Sequence, residues 1–482
     1  MKKIYLDHSA TTPVDPAVLD AMLPYLKNIF GNPSSLHSFG RSAKTAVEEA
    51  REKVAFLINA DPVEIFFTCG GTEADNLAII GAVSAHEKKK SHIITSSIEH
   101  PAVLTTCKYL EKAGSAVTCL PVDKHGLIDP LDVKKAIRSN TAIISIMHAN
   151  NETGTIEPIK EIGLIARERD VSFHTDAVQT AGKIPIDVND INVDMLSLSG
   201  HKIHGPKGVG VLYIRKGTKI SPMFYGGHHE GGLRAGTENV PAIAGLGKAC
   251  EISLNGLTLQ MDHMKDLRDR LETGIKERIE RIKINGHPSE RLPNILNVSF
   301  EGIEGEPVIL NLDKMGIAAS AGSACTSDSA ESSHVLKALG VSAELARASV
   351  RFSLGRGNTK NEIDFTVDTL KELVNRLRSD STLQKNAGRK KQCLITFYET
   401  TDALHAEKVL KKKDMKSSLT SVPSGIKRPS CCGTALIFDC RDQEKIITYL
   451  KEQDVEIEGT HQLDIDAGQS KPAKKRFWPF SR

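Results

Sequence analysis

From Ser42 to Leu57 the apolar residues Ala43, Ala46, Val47, Ala50, Val54 and Leu57 recur at helical spacing, which predicts a helix with one buried face. The pattern then shortens. "EIFFT" (64–68) predicts a strand, and "CGGTEADN" after it opens a helix that runs through "LAIIGAVSAH". Further short apolar runs follow at "HIITSS" (92–97), "AIISIMHA" (142–149), "VSFHTDA" (171–177), "VDMLSLS" (193–199) and "GVGVLYI" (208–214), with helical stretches among them. Strand–helix alternation predicts an α/β fold with a mainly parallel sheet, because parallel neighbours need a crossover connection. Ligands of such sheets sit at the C-terminal ends of the strands, so the polar groups just past each run matter most.

Past about residue 250 the helices become longer and more charged, as in "MDHMKDLRDRLETGIKERIERI", with a few strands such as "NILNVSF" (294–300). This predicts a smaller α+β domain reaching to about 380. "RSDSTLQKNAGRKKQ" (378–392) loses apolar periodicity and turns polar and basic, which predicts a linker at 381–391. After it, "CLITFYETTDALHAEKVLKKK" reads as strand, loop and helix, and "GTALIFDC" (433–440) as another strand. "DQEKIITYLKEQDVEIEG" then supplies a helix and a last strand, giving a βαβ-like module over 392–460. Residues 461–482 read as a disordered tail. No internal repeat is visible.

The length of 482 residues is too great for one ordinary domain. A net charge of +3 argues neither for nucleic acid nor for an acidic membrane surface. No apolar run is long enough to span a bilayer, and the N-terminus has no signal-peptide pattern. The nine cysteines are an odd number and scattered, so a disulfide framework is not expected and a reducing cytoplasm is the simplest home.

The chemistry concentrates around "LSLSGHKIHGPKG" (196–208). Gly200 and Gly205 have P-loop spacing, but Pro206 precedes Lys207 and no hydroxyl residue follows. His201 and His204 lack a third metal ligand nearby. The remaining reading makes Lys202 a Schiff-base lysine. Upstream, Gly70, Gly71 and Thr72 open a helix whose N-terminus suits a phosphate, and "HTDAVQ" ends a strand with Asp176 and then Gln179. Each feature alone is more often a turn, a helix cap or a surface lysine. Together, in this order, they are the anion site, pyridinium partner and amine that pyridoxal phosphate requires.

The sequence resembles the cysteine desulfurases, the NifS/IscS-like branch of the class V pyridoxal-phosphate aminotransferase fold (fold type I). The resemblance covers about residues 1–380. It rests on "YLDHSATTP" (5–13), "GNPSSLHSFG" (31–40), "GGTEADN" (70–76), "EHPAV" (99–103), "NNETGT" (150–155), "HTDAVQ" (174–179), "SGHKIHGPKG" (199–208), "RAGTEN" (234–239) and "SAGSACTS" (320–327). It implies a large cofactor domain over about 15–255 and a small domain from 1–14 and 256–380. It also implies that Lys202 bonds pyridoxal 5'-phosphate, Asp176 pairs with the ring nitrogen and Gln179 with the ring hydroxyl. His100 would stack on the ring and move protons, while Gly71, Thr72, Ser199 and His201 would hold the phosphate. Thr237 would reach the phosphate of a second subunit, which requires a homodimer. Asn151 and Arg351 would grip the carboxylate of L-cysteine. Cys325 would be the nucleophile, taking a persulfide and releasing L-alanine, in a stretch of small and polar residues where a thiol can ionise. No metal of its own is expected, and Cys325 would touch an iron–sulfur cluster only during transfer. Cys69, Cys107, Cys119, Cys250 and His204 read as structural.

Three other readings remain open at this point: a transaminase or lyase of the same fold, a selenocysteine lyase, and an inactive binding or carrier protein. Residues 392–460 resemble the small selenium/sulfur carrier-like domains, through "ITFYETTDALHAEKVLKK" and "SCCGTAL". Cys431 and Cys432 become candidates for a sulfur relay, with Lys427 and Arg428 nearby to favour a thiolate. The implied partner is a sulfur-acceptor protein such as a cluster scaffold.

Overall fold

The computed structural model describes residues 3–86, 91–321, 333–386, 392–423, 426 and 432–463, with the backbone alone over 381–386. The chain opens with a short strand, β1 (Ile4–Tyr5), and two helices, Pro16–Lys27 and Ser38–Ile58. Seven strands then form the main sheet: β2 (Ile65–Thr68), β3 (His92–Ser96), β4 (Ala116–Leu120), β5 (Thr141–Ser145), β6 (Ser172–Asp176), β7 (Met195–Ser199) and β8 (Gly210–Ile214). Their spatial order is β2-β8-β7-β6-β5-β3-β4. All neighbours from β4 to β7 are parallel, and β8 runs antiparallel between β7 and β2.

Side chains of a strand alternate between faces, so adjacent apolar residues feed two cores. Ile94, Ile144, Leu196 and Val211 pack with Ala46, Ala50 and Val54 of Ser38–Ile58 and with Leu246 of helix Val240–Asn255. Their neighbours Ile93, Ile143, Met195 and Leu212 pack on the other side, with Leu77 of helix Gly71–Ala85 and Val103 of helix Pro101–Lys112. A sheet covered on both faces explains why β3, β5, β7 and β8 are buried throughout. The strands are shorter than the apolar runs: β5 stops at Ser145, and Met147 and Ala149 beyond it help form a cavity wall.

The second unit is an antiparallel sheet, β12-β10-β9, from β9 (Ile282–Asn285), β10 (Ile295–Phe300) and β12 (Ser349–Ser353). Strand β11 (Ile317–Ala318) pairs instead with β1. Helices Leu257–Arg278 and Lys360–Asn386 supply Leu267, Leu271, Ile363 and Leu370 to its core, where Ile4 and Leu6 are also buried. The closing helix runs to Asn386, into the stretch read as a linker. Loss of apolar periodicity there removes a buried face but does not stop a helix already nucleated upstream, and Leu383, Gln384 and Lys385 are all good helix formers.

The C-terminal module contains β13 (Gln392–Thr396), β14 (Ser418–Ser421), β15 (Thr434–Asp439) and β16 (Gly459–Leu463), with helices Thr400–Lys412 and Gln443–Glu452. The order is β14-β15-β13-β16 and every pairing is antiparallel. The βαβ reading therefore holds only in split form, with β15 inserted between β13 and β14. The last strand lies at 459–463, beyond "VEIEG" and into the stretch read as a tail, because Val455 is drawn into the module's core instead. Cys393 and Cys440 form a disulfide across β13 and the turn after β15, with Cα atoms 4.8 Å apart. An odd, scattered cysteine count argues against a framework of bridges, but it does not exclude one pair brought together by the fold. The module rests on helix Gly305–Lys314, whose Leu310 packs against its core while Glu306 accepts from Thr434 and Lys314 pairs with Glu407. Among the described residues no helix is long and apolar enough to cross a membrane.

Candidate active site

The C-terminal ends of β6 and β7 meet the N-terminal segment of the chain. β6 ends at Asp176, and β7 ends at Ser199 before a tight turn, Gly200–Lys202. The next strand must press close: a Cβ on Gly210 would lie 2.6 Å from the carbonyl carbon of Gly70. That approach seats the N-terminus of helix Gly71–Ala85 beside Ser199. Lys202 Nζ donates to the carbonyls of Ser9 (2.6 Å) and Ala10 (2.8 Å). The two flanking histidines clamp the same segment. His201 Nδ1 meets Thr11 Oγ1 at 3.1 Å, and His204 Nδ1 meets the Pro13 carbonyl at 3.0 Å. Each ring therefore serves a structural contact of its own.

These groups border a cavity of about 400 Å³. Gly71, Thr72, Ser199 and His201 are among its lining residues, and backbone N–H groups of the helix N-terminus at Gly71 favour an anion. Gly71 cannot carry a side chain there, since its Cβ would meet Val178 at 2.7 Å. Asp176, Gln179, His100 and Lys202 line the same cavity. Gln179 donates to the Ser9 carbonyl at 3.0 Å, while its Oε1 and the Ser9 hydroxyl are buried without a hydrogen-bond partner among the described residues. Such orphaned polar atoms, beside an anion cradle and a lysine, fit a polar aromatic phosphate.

The charges of these groups follow from burial. Burial raises the Asp176 carboxyl, opposed by the nearby His100 and Lys202. Asp75, fully buried behind it, is raised well above the usual range by burial and then by Asp176. Asp75 has no cation comparable to Lys202, so we assign the proton to Asp75 and the charge to Asp176. His100 caps helix Pro101–Lys112, its Nδ1 accepting from Ala102 N at 3.1 Å. Burial lowers its pKa, so the ring is neutral with its proton on Nε2.

The cavity is also lined by an arginine. Arg351, on β12 of the small domain, donates to Asp7 Oδ1 (2.8 Å) and to the Asn151 carbonyl (3.0 Å). Asn151 and Arg351 both line the cavity, and Arg351 Nε is buried without a partner among the described residues. Two further anchors lie here. Ser320 exchanges backbone hydrogen bonds with Arg351, and the Ser333 hydroxyl donates to Glu152 at 2.5 Å. Cys325 falls between these anchors in sequence but lies outside the described residues, as do Cys431, Lys427 and Arg428.

Thr237 is exposed and lines a separate depression with Cys69 and Arg234, away from the cavity of its own chain. Cys107 and Cys250 are buried as expected, but Cys69 and Cys119 are exposed. Neither is an activated thiol. Desolvation and then Glu73 push Cys69 up to about 11, and desolvation and then Glu99 raise Cys119. Cys432 is buried, 3.6 Å from Thr400 Oγ1 and 3.5 Å from the Thr434 carbonyl. Sequence reasoning missed Ser9, Ala10, Asp7, Asp75 and Glu152. All five lie in stretches quoted for the resemblance, "YLDHSATTP", "GGTEADN" and "NNETGT", without a role having been assigned to them.

Residues 4–365 match the family described as aminotransferase class-V, and residues 392–462 match that described as "Putative Se/S carrier protein-like". Cysteine desulfurase IscS of Dictyoglomus turgidum is 53% identical over 380 residues, 79% of this chain and 96% of the relative. That of Methanosarcina thermophila is 53% identical over 382 residues, 79% of this chain and 94% of the relative. Among solved structures, a NifS-like protein superposes with a TM-score of 0.73 at 40% identity, covering 78% of this chain and 100% of that one. SspA in complex with cysteine gives 0.66 at 42% identity, covering 74% and 100%. With identity sustained over nearly the whole of these relatives, the chain belongs to the cysteine desulfurase family, as a pyridoxal-phosphate-dependent enzyme joined to a Se/S carrier-like domain.

Proposed function

We propose that the enzyme moves the sulfur of L-cysteine onto Cys325 as a persulfide, releases L-alanine, and relays the sulfur through Cys431 or Cys432. The observation that supports the site assignments is that one cavity is lined by the anion cradle, by Lys202 with Asp176, and by Arg351. Bound pyridoxal phosphate supplies an electron sink for the substrate's α-carbon. Gly71, Thr72, Ser199 and His201 would hold its phosphate, Asp176 would keep its ring nitrogen protonated, and Gln179 would pair with its ring hydroxyl. Lys202 would be the amine that holds it, and as a free base it would accept the substrate's α-proton. His100, neutral and lining the same cavity, would stack on the ring and could exchange a proton through Nε2.

Arg351 and Asn151 hold the substrate carboxylate. In the sulfur step an S–S bond forms at Cys325 as the substrate's Cβ–S bond breaks. Cysteine and an enzyme thiol thus give alanine and an enzyme persulfide, with no external oxidant. A free thiol at Cys325 fits a reducing compartment such as the cytoplasm, whereas the Cys393–Cys440 bridge does not argue for one. The exposed position of Thr237, away from its own cavity, supports a homodimer in which it serves the partner's phosphate.

Arg351→Lys should retain the charge but lose the planar fork held by Asp7 and Asn151. We expect kcat/KM for cysteine to fall about 10–100-fold, mainly through KM. An unchanged KM would remove Arg351 from the carboxylate site.

The relay is tested by incubating the full chain with sulfur-labelled cysteine and mapping label by peptide mass spectrometry. Label should reach the Cys431–Cys432 peptide of wild type but not of Cys325→Ser. Label confined to Cys325 during turnover would refute the relay. The Se/S carrier-like match also favours a selenocysteine lyase reading, which competition between cysteine and selenocysteine would resolve.

A further inference from the structure

Lys183 is only 5% exposed, yet it has no part in the contacts described above. It follows Gly182, whose positive φ (+69°) and tight seat explain the inward course of the chain. A Cβ on Gly182 would come within 3.0 Å of Ile203 and of Ser253. Lys183 Nζ donates to the Gln179 carbonyl at 3.0 Å. Gln179 and Lys202 in turn both donate to the Ser9 carbonyl, at 3.0 and 2.6 Å. Lys183 and Lys202 also border one small pocket behind the main cavity, together with His8 and His204. Two amines therefore share a buried region and a common hydrogen-bonded strap.

Of the two amines, Lys202 faces a carboxylate, Asp176, while the groups around Lys183 are cations and neutral rings. Lys202 faces Asp176, His100 and His201 as well as Lys183. Lys183 faces Lys202, His8, His201 and His204. Burial lowers all three of those histidines to about 4, so they are neutral at neutral pH. Asp15, near His204, is paired with Arg356. No carboxylate among the described residues forms an ion pair with Lys183. Burial, and then Lys202, lower the Lys183 amine to about 7.

We propose that Lys183 is a positioning residue that sets the protonation of Lys202, a second buried amine placed so that the two do not both hold a full charge. Lys202 must be uncharged to bond a carbonyl carbon or to accept a proton, and an ammonium can do neither. A like charge in a poorly solvated region disfavours that ammonium. The inference rests on Lys202 being the cofactor lysine.

The test is a pH titration of the visible absorbance of the lysine-bound cofactor in the full-length holoenzyme. Lys183→Met removes the charge. Lys183→Gln removes it but keeps a donor for the Gln179 carbonyl. Lys183→Arg fixes it. We expect the Met and Gln variants to move the midpoint up by about one pH unit, roughly tenfold in proton affinity, and Arg not to move it up. Should Met fail to fold, the Gln and Arg pair decides. Wild-type midpoints in Met and Gln, or one common shift in all variants, would mean that Lys183 acts in packing alone. Retention of the same band by Lys202→Ala is a separate outcome, which would reject the reading of Lys202 itself.

Discussion

Lys202→Ala is expected to lower cysteine-dependent alanine formation by at least about 10³-fold and to remove the absorbance of covalently held cofactor. Alanine keeps the Gly200–Lys202 turn but leaves no amine between Asp176 and the Ser9 and Ala10 carbonyls. Lys183 cannot take over. It lies behind the main cavity and its amine is turned to the Gln179 carbonyl. The variant should still fold, because the two lost hydrogen bonds are each worth only about 1 kcal/mol net and Lys202 adds no apolar core. A thermal midpoint within a few degrees of wild type, alongside lost turnover, is the informative combination. Alanine release above a tenth of the wild-type rate would show that another amine does this work.

The large domain was legible because its physics is local. Ile143 and Ile144, or Met195 and Leu196, stand side by side since a doubly covered strand needs apolar groups on both faces. Lys202, Asp176 and Gly71 could be found because each lies at or just past a strand end, where an α/β sheet presents its ligand groups. Other parts depended on distant chain. β14 has only Leu419 as a large apolar residue, so its pairing with β15 makes it a strand. Cys393 and Cys440 meet only once β13 and β15 are in register. Ser9 and Ala10 contribute backbone carbonyls, which have no side-chain signature. Lys183 reads as an ordinary surface lysine until Gly182 turns it inward. Cys69 and Cys119 show the opposite error: each lies in or just after an apolar run, yet is exposed.

Cys325→Ser is expected to keep the cofactor and its absorbance while lowering sulfur release by at least about 10²-fold, since a hydroxyl is a far poorer nucleophile towards sulfur. None of the groups assigned to phosphate, ring or carboxylate is touched by the change. Apart from Cys432 of the proposed relay, the other described thiols offer no ready substitute. Cys107 and Cys250 are buried and both pushed up to about 12 by that burial, Cys69 and Cys119 are held protonated, and Cys393 is bonded to Cys440. What sets Cys325 apart is where its neighbours in sequence are fixed: Ser320 to Arg351, at the carboxylate site, and Ser333 to Glu152, both of which line the cavity. A substrate held by Arg351 would therefore present its sulfur near the two anchors that bracket Cys325. Adding cysteine to the Ser variant should still perturb the cofactor absorbance, because binding and α-proton removal need no protein thiol. Mass spectrometry should meanwhile find no peptide carrying an added sulfur atom. Persulfide formation at the wild-type rate would place the nucleophile elsewhere, and loss of the absorbance change would mean that Cys325 acts earlier, in binding.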